Sequence, residues 1–434
     1  MNTLILTITI MLVTLLAIVV ENKKLTPLVI NIISMLPITV GYYLLGIDQK
    51  NQAVWILCLF STISFLLGYS FFKLVVKRKD NYQVVQENIK DFNFNPLNYL
   101  HHQLFISVII IMVIYHFLVG GVPILSSDVE TKRFSFSSSG LFGIPGRFYL
   151  FGIPYMLIYS MYYVKQVNNK AAYKMIIVAW IFFIVFKMLS GFKGVLVDIT
   201  IFFAFSRACI GKPIRLMKIL SFKSLLLIFG AFVFAGLISR LYPSLRLQNT
   251  NDVIIYLLAR LTELPAQPGF YVLTHLNEFE QSRGFYFLGE ISYFFDKYFH
   301  IKLLKDLETY PIDKIVSSII YKTPLSDDNF IAPVTVGAFP GLVLYFGITF
   351  AYFIMYWIGF FYAWIYYSAL QANDPFKGAV LGLTLYEINI YITNGGLIYL
   401  IINLTVMFII LYLLKILCSL LARLIYGSIR KSYI

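Results

Sequence analysis

The chain has 434 residues, of which 59% are hydrophobic and only 13% are charged. Soluble globular proteins carry about 25% charged residues and about 45–50% apolar ones, so this composition excludes a soluble enzyme, a nucleic-acid-binding protein and a disordered scaffold. The net charge of +14 is therefore informative through its position along the chain, and it does not indicate nucleic-acid binding.

Apolar runs of about 20 residues are long enough to cross a bilayer as helices. The apolar runs and the polar breaks between them predict eleven membrane spans, at residues 2–20, 26–46, 53–76, 104–119, 147–164, 171–189, 194–209, 222–239, 336–368, 377–393 and 397–419. The first run lacks a basic leader and a small-residue cleavage site, so we interpret it as a span and not as a signal peptide. The prediction is an all-α, polytopic transmembrane helix bundle in which residues 1–434 form one integral membrane domain.

The connections between these spans differ in charge. If the N-terminus lies outside, most of the Lys and Arg residues fall in the inner connections, whereas most of the Asp and Glu residues do not. Cytoplasmic loops of membrane proteins carry this excess of Lys and Arg. We therefore predict an outside N-terminus and a cytoplasmic C-terminus.

This topology leaves a long outer segment at residues 240–335, far longer than a connector of about 2–8 residues. Its sequence predicts helices at 252–264, 270–281 and 290–305, and it is rich in Tyr and Phe. Amphipathic aromatic helices can lie in the membrane interface or cap a cavity, although simple packing between loop and bundle explains the aromatics equally well. We predict that residues 240–335 form a mainly helical outer subdomain that caps the bundle.

Basic residues also occur on the outer side, where the positive-inside rule disfavours them. They include Arg133, Arg147, Lys193, Arg240, Arg246 and Arg260. Lys187 even lies within an apolar run, where a charge costs at least about 2.5–3.5 kcal/mol. A bound anion would offset such costs, because Arg binds phosphate bidentately and Gly-rich turns expose backbone N–H groups. The set predicts an anion site, while snorkelling or pairing with Asp198 would explain a single residue.

Candidates for a general base lie in the long outer segment. A base that works near neutral pH is most often histidine, and His275 is followed by Glu278 and Glu280 on one predicted helix. A solvated loop histidine is the alternative interpretation. The sequence has neither a zinc-ligand pattern nor a nucleotide-binding glycine motif, so we expect no metal or cofactor and a substrate that is already activated.

Several short segments resemble the Wzy-type O-antigen and capsular repeat-unit polymerases, which are polytopic GT-C-like glycosyltransferases related to the O-antigen ligases. The segments are Gly121-Val-Pro-Ile with Arg133, Gly143-Ile-Pro-Gly-Arg147, Ser190-Gly-Phe-Lys193-Gly194, Arg240 at the start of the long loop, and Pro333-Val-Thr-Val-Gly-Ala-Phe-Pro-Gly after it. Lys193 stands where such proteins often have Arg, and this departure weakens bidentate phosphate binding there.

The resemblance implies an enzyme of the bacterial inner membrane that uses two undecaprenyl-pyrophosphate-linked glycans at the outer leaflet. The growing chain would move from its lipid carrier onto a new repeat unit, with the lipid pyrophosphate as the leaving group. The six cations would bind the pyrophosphate, and His275, Glu278 or Glu280 would accept the proton of the acceptor hydroxyl. The implied partners are these glycolipids and the bilayer, and a separate chain-length regulator is left open. An O-antigen ligase, a lipid-linked glycan flippase and a non-catalytic assembly subunit are the alternatives.

Overall fold

The structure is a computed structural model. It describes residues 2–48, 51, 53–77, 96–126, 129, 132, 136, 144–167, 170–191, 195–216, 221, 229–230, 233, 236, 250–279, 285–304, 310–322 and 334–432. Within these residues nearly all regular structure is helical. The β-structure that the described residues contain is a two-residue antiparallel ladder between β1 (Lys24–Leu25) and β2 (Ile214–Arg215). This confirms the predicted all-α class.

The helices are numbered here in chain order. They are α1 (Asn2–Val20), α2 (Pro27–Asp48), α3 (Val54–Lys77), α4 (Pro96–Gly120), α5 (Ile144–Arg147), α6 (Ile153–Val167), α7 (Lys170–Leu189), α8 (Val195–Cys209), α9 (Thr250–Leu261), α10 (Glu263–Thr274), α11 (Leu276–Phe279), α12 (Phe285–Phe299), α13 (Ile312–Tyr321), α14 (Ala338–Phe346), α15 (Ile348–Leu370), α16 (Pro375–Asn394) and α17 (Leu397–Ser432). A 3-10 turn at Pro123–Leu125 follows α4, and a π-helical turn at Phe148–Gly152 joins α5 to α6.

Six helices of the described part of the chain are long and apolar enough to cross a membrane. They are α2, α3, α4 with the turn that follows it, α7, α15 and α17. Each overlaps a predicted span, and together they are compatible with a multi-pass membrane protein. Most of the predicted span at residues 222–239 lies outside the described residues.

The predicted span at residues 336–368 is not one helix. Gly347, with φ of 81°, ends α14 and separates it from α15, and its N–H donates to the Val343 carbonyl oxygen at 2.8 Å. Glycine adopts this left-handed conformation without steric cost, which an apolar run in the sequence does not reveal. The 23 residues of α15 extend about 35 Å at 1.5 Å per residue, so α15 alone can cross a hydrocarbon core of about 30 Å.

The described residues pack into two compact units. Unit 1 comprises Met1–Arg78, Ile214–Trp364 and Leu385–Ile401. Glycines allow close helix crossings within it: a Cβ added at Gly41 of α2 would overlap the Thr262 carbonyl oxygen next to α10, and one at Gly269 of α10 would overlap the Tyr42 hydroxyl. Small residues at such crossings are typical of helix packing in membranes, where backbones must approach closely.

Two glycine turns also meet in unit 1. Gly337 precedes α14 and Gly395 follows α16, with φ of 82° and 83°. The Gly337 N–H donates to the Asn394 carbonyl oxygen at 3.2 Å. A Cβ on Gly395 would lie 3.0 Å from the Gly337 carbonyl oxygen, so the two turns are in direct backbone contact.

Unit 2 comprises Lys79–Pro213, Ile365–Thr384 and Ile402–Ile434. Its interior is aromatic: His102 of α4 stacks on Tyr163 of α6 with ring centroids 4.1 Å apart. The hydroxyl of Tyr162 lies 2.8 Å from the carbonyl oxygens of both Cys209 and Ala369. Tyr162 therefore links α6 to the end of α8 and to the last turns of α15.

Candidate functional site

The structure describes four of the nine predicted site residues. Five of them lie outside the described residues: Arg133, Lys193, Arg240, Arg246 and Glu280. Arg147 belongs to unit 2, whereas Arg260, His275 and Glu278 belong to unit 1. Among the described residues, the structure brings His275 and Glu278 together.

His275 lies at the point where α10 ends. Its φ and ψ of −117° and 33° leave the helical region, and its N–H still donates to the Tyr271 carbonyl oxygen. The Thr274 hydroxyl contacts the carbonyl oxygens of Phe270 and Tyr271 at 2.9 and 3.0 Å, and such side-chain bonds compete with helix continuation. The prediction of one helix over residues 270–281 was wrong, because Glu278 follows the break, in the one-turn helix α11.

The imidazole of His275 is oriented by three contacts, one on the face of its ring and two at Nδ1. Its ring stacks on Tyr271, with centroids 4.2 Å apart and planes 13° apart. Its Nδ1 lies 3.1 Å from the Tyr271 carbonyl oxygen and 2.8 Å from the Thr274 hydroxyl. Because a carbonyl oxygen can only accept, this geometry favours a proton on Nδ1 and leaves the lone pair on Nε2. A neutral imidazole in this tautomer is the form that a general base requires.

Tyr271 also connects the imidazole to the carboxylate. Its hydroxyl donates to Oε2 of Glu278 at 3.0 Å. Partial desolvation, followed by the hydrogen bond and charge of Glu278, raises the pKa of Tyr271. The phenol therefore stays protonated and holds an exposed carboxylate near the half-buried histidine.

Arg260 is an exposed cation in the last turn of α9, which packs against α10. A cation there interacts favourably with the helix dipole, and its exposed guanidinium is accessible to an anionic ligand. In the described ranges no three His, Cys, Asp or Glu side chains are grouped so that they could hold a metal ion.

Two cations of unit 2, Arg147 and Lys187, have protein partners. Arg147 is only 8% exposed, and its Nε donates to Oδ1 of Asn403 at 3.1 Å. Nζ of Lys187 lies 6.0 Å from the ring centroid of Tyr149 and 5.9 Å from that of Phe183, within the range of cation–π attraction. The role of Arg147 in binding a pyrophosphate stays a prediction, and its Nε already donates to the Asn403 side-chain amide.

A buried carboxylate escaped the sequence prediction. Glu290 of α12 is 4% exposed; its Oε2 accepts the Tyr345 hydroxyl at 2.5 Å and its Oε1 accepts the Ile312 N–H at 3.1 Å. Burial raises the pKa of Glu290 even though both hydrogen bonds lower it. The available signal was helical spacing, because Glu290 falls on the same face as Phe287 and Phe294.

The fold and this site together define an all-α protein with membrane-compatible helices and an oriented imidazole beside a carboxylate. No protein-family model, no curated protein and no solved structure matches the chain. Its function is therefore inferred from the residues themselves.

Proposed function

We propose that this protein is a membrane glycosyltransferase that polymerises oligosaccharide repeat units carried on undecaprenyl pyrophosphate. The observation that carries the proposal is the pair of His275 and Glu278 around Tyr271, in an aromatic helical segment attached to membrane-compatible helices. In this proposal the chain has eleven spans in the bacterial inner membrane, with residues 240–335 and the N-terminus outside and the C-terminus in the cytoplasm.

The proposed reaction is a direct transfer between two lipid-linked glycans. Nε2 of His275 takes the proton of an acceptor hydroxyl while that oxygen forms a bond to the anomeric carbon of the donor. The bond from this carbon to the pyrophosphate breaks, and the lipid pyrophosphate leaves with the electron pair. Glu278 places a negative charge near the imidazolium that forms, and a general base of this kind accelerates a reaction by about 10²–10⁴-fold.

Cations would stabilise the departing pyrophosphate. Negative charge increases on the leaving group in the transition state, so preorganised positive groups lower the barrier more than they favour substrate binding. We assign this role to Arg133, Arg147, Lys193, Arg240, Arg246 and Arg260. The aromatic side chains of the outer segment would cover the sugars and exclude water, which suppresses hydrolysis of the donor.

The first test replaces the proposed base. His275→Ala should slow polymerisation of purified undecaprenyl-pyrophosphate repeat units by about 10²–10⁴-fold, measured as the rate at which a ladder of products appears on a gel. His300→Asn is the matched control, because His300 is an exposed histidine of the same segment and Asn tolerates its positive φ of 55°. Full-rate polymerisation by a correctly inserted His275→Ala protein would remove this histidine from the mechanism.

The same assay separates the alternative functions. A ladder made from repeat units alone supports the polymerase, whereas transfer only to added lipid A core would identify a ligase. Movement of intact glycolipid across vesicle membranes, with neither product formed, would identify a flippase. Within the polymerase proposal, Arg240→Ala and Arg246→Ala should leave single-repeat glycolipid unpolymerised, and long chains made by these variants would contradict the pyrophosphate site.

A further inference from the structure

A partly open pocket lies within unit 1. It is bounded by α2, α3, α10, the start of α14, α15 and the end of α16, and its empty space reaches about 430 Å³ only when the open solvent at its mouth is counted. Three of these helices, α2, α3 and α15, are among those that can cross a membrane. In the part of the chain that the structure describes, no charged side chain lines this pocket.

The hydroxyl groups in the wall already have hydrogen-bond partners. Thr39, Ser61, Thr62 and Thr393 each donate to a carbonyl oxygen of the preceding turn of their own helix, at 2.7 to 3.2 Å. Such back-bonding turns the hydroxyl hydrogen toward the helix backbone. The pocket wall therefore presents mainly methyl and methylene groups to a ligand, and it has few free hydrogen-bond donors.

The hydroxyl of Tyr42, another polar group in the pocket wall, also has a hydrogen-bond partner. The Tyr42 hydroxyl is hydrogen-bonded to the thiol of Cys58 and packs against Gly269 of α10. A water molecule in a protein interior needs about two to four polar partners, and this wall supplies few. Apolar matter is the better occupant, because its removal from water is favourable and requires no hydrogen bonds.

We propose that this pocket binds a hydrocarbon chain of a membrane lipid. The pocket wall includes Pro265 of α10, and His275 ends the same helix ten residues later, about 15 Å away along the helix axis. A chain in the pocket therefore contacts the helix that carries the proposed base. The polyprenyl chain of a lipid carrier and the acyl chain of a phospholipid share this chemistry.

The experiment fills the mouth of the pocket by mutation. Ile38 lines the pocket and is half-buried, whereas Ile33 of the same helix is 46% exposed. Ile38→Trp should reduce the amount of bound lipid at least about fivefold, and the matched control Ile33→Trp should leave it unchanged. Bound lipid is measured by native mass spectrometry of the purified protein after incubation with undecaprenyl phosphate or with a phosphatidylglycerol.

The two lipids are tested separately and then in competition. Loss of undecaprenyl phosphate alone identifies a polyprenyl chain, and loss of phosphatidylglycerol alone identifies an acyl chain; both support the pocket. Equal binding of both lipids by the Ile38→Trp and Ile33→Trp proteins overturns it. If Ile38→Trp fails to fold, Ala338→Leu fills the same pocket from α14 and is judged by the same criterion. Binding is measured without catalysis, so failure of the proposed polymerase activity would leave this result intact.

Discussion

Glu290 stabilises the start of a helix that lies 22 residues further along the chain. The N–H that it accepts belongs to Ile312, the first residue of α13, and the preceding Pro311 supplies no side-chain cap. A negative group at a helix N-terminus interacts favourably with the exposed N–H groups and the helix dipole. The carboxylate must leave water to reach this place, and burial raises its pKa above the ordinary value of 4.5.

This raised pKa predicts a pH dependence of stability. The folded protein binds the Glu290 proton more tightly than the unfolded chain, so this contribution is fully present below pH 4.5 and is lost as the pH rises through the folded-state pKa. We therefore expect the thermal unfolding midpoint of the detergent-solubilised wild-type protein to fall between pH 4.5 and neutral pH. The midpoint of Glu290→Gln should fall less over the same range. Glu278→Gln is the control, because Glu278 is exposed. Identical pH profiles for wild type and Glu290→Gln would contradict this assignment.

The number of residues between two contacting groups explains which contacts of the candidate site the sequence could predict. His275 and Glu278 are three residues apart and both contact Tyr271, so local spacing was enough to predict their proximity. Glu290 binds groups that are 22 and 55 residues away, and no local pattern encodes these contacts. Arg147 likewise contacts Asn403 of another helix, α17. Lys187 contacts Tyr149 of the π-helical turn in addition to Phe183 of its own helix.

At the scale of helices, α10 packs directly on α2 through glycine. The Cα of Gly269 lies so near the Tyr42 hydroxyl and the Val336 carbonyl oxygen that no Cβ fits between them. A helix of the predicted outer segment thus contacts one of the helices that can cross a membrane. The division into a bundle and a capping subdomain at residues 240–335 stays a prediction.

The glycine contact can be tested by adding one methyl group. Gly269→Ala should destabilise the protein by about 1–3 kcal/mol, because the Cβ would overlap backbone as well as side-chain atoms. Gly341→Ala in α14 is the matched control, since nothing lies within 4 Å of its added Cβ, and it should gain up to about 1 kcal/mol from helix propensity. Thermal unfolding of both variants measures the difference, and equal stability would show that α10 does not approach α2 this closely.

The apolar runs of the sequence predicted most of the long helices but not the breaks within them. Runs of apolar residues correctly indicated α2, α3, α4, α7 and α17, because burial in lipid or in a core requires continuous helical hydrogen bonding. The breaks at Gly347 and His275 depend on a positive φ and on a threonine hydroxyl. These are local geometries whose residues also occur within intact helices.

At the scale of the whole chain, composition predicted the class of protein and left the number of spans open. The described residues contain six helices that fit a membrane, against the eleven predicted. α6, α8 and α16 are also helical at predicted spans, but length and hydropathy do not place them among the six. The first predicted span is the 19-residue apolar helix α1. Composition predicts the class of protein because the chain has too few charged residues for a water-exposed surface. The number of spans depends on short apolar helices, and a short apolar run does not distinguish a span from a buried helix of a core.

The proposed orientation predicts which residues are accessible from outside the cell. Tyr321→Cys, at a position 61% exposed in α13, should react with a membrane-impermeant maleimide on intact cells. Lys377→Cys, exposed at the start of α16, should react only after permeabilisation. The native cysteines Cys58, Cys209 and Cys418 are all buried, so their background labelling should be low. The reverse pattern would invert the topology, and labelling of both positions from outside would remove a span between them.

The backbone contact between Gly337 and Gly395 limits which second mutations could compensate for a substitution of Gly395. A clash between two side chains can be relieved by a second mutation that shortens one of them, but here the obstacle to a Cβ on Gly395 is a main-chain carbonyl that every amino acid carries. A selection for revertants of Gly395→Ala should consequently return true glycine revertants and few intragenic suppressors. The joint therefore constrains the sequence through its backbone alone, although it contributes no side chain to any site.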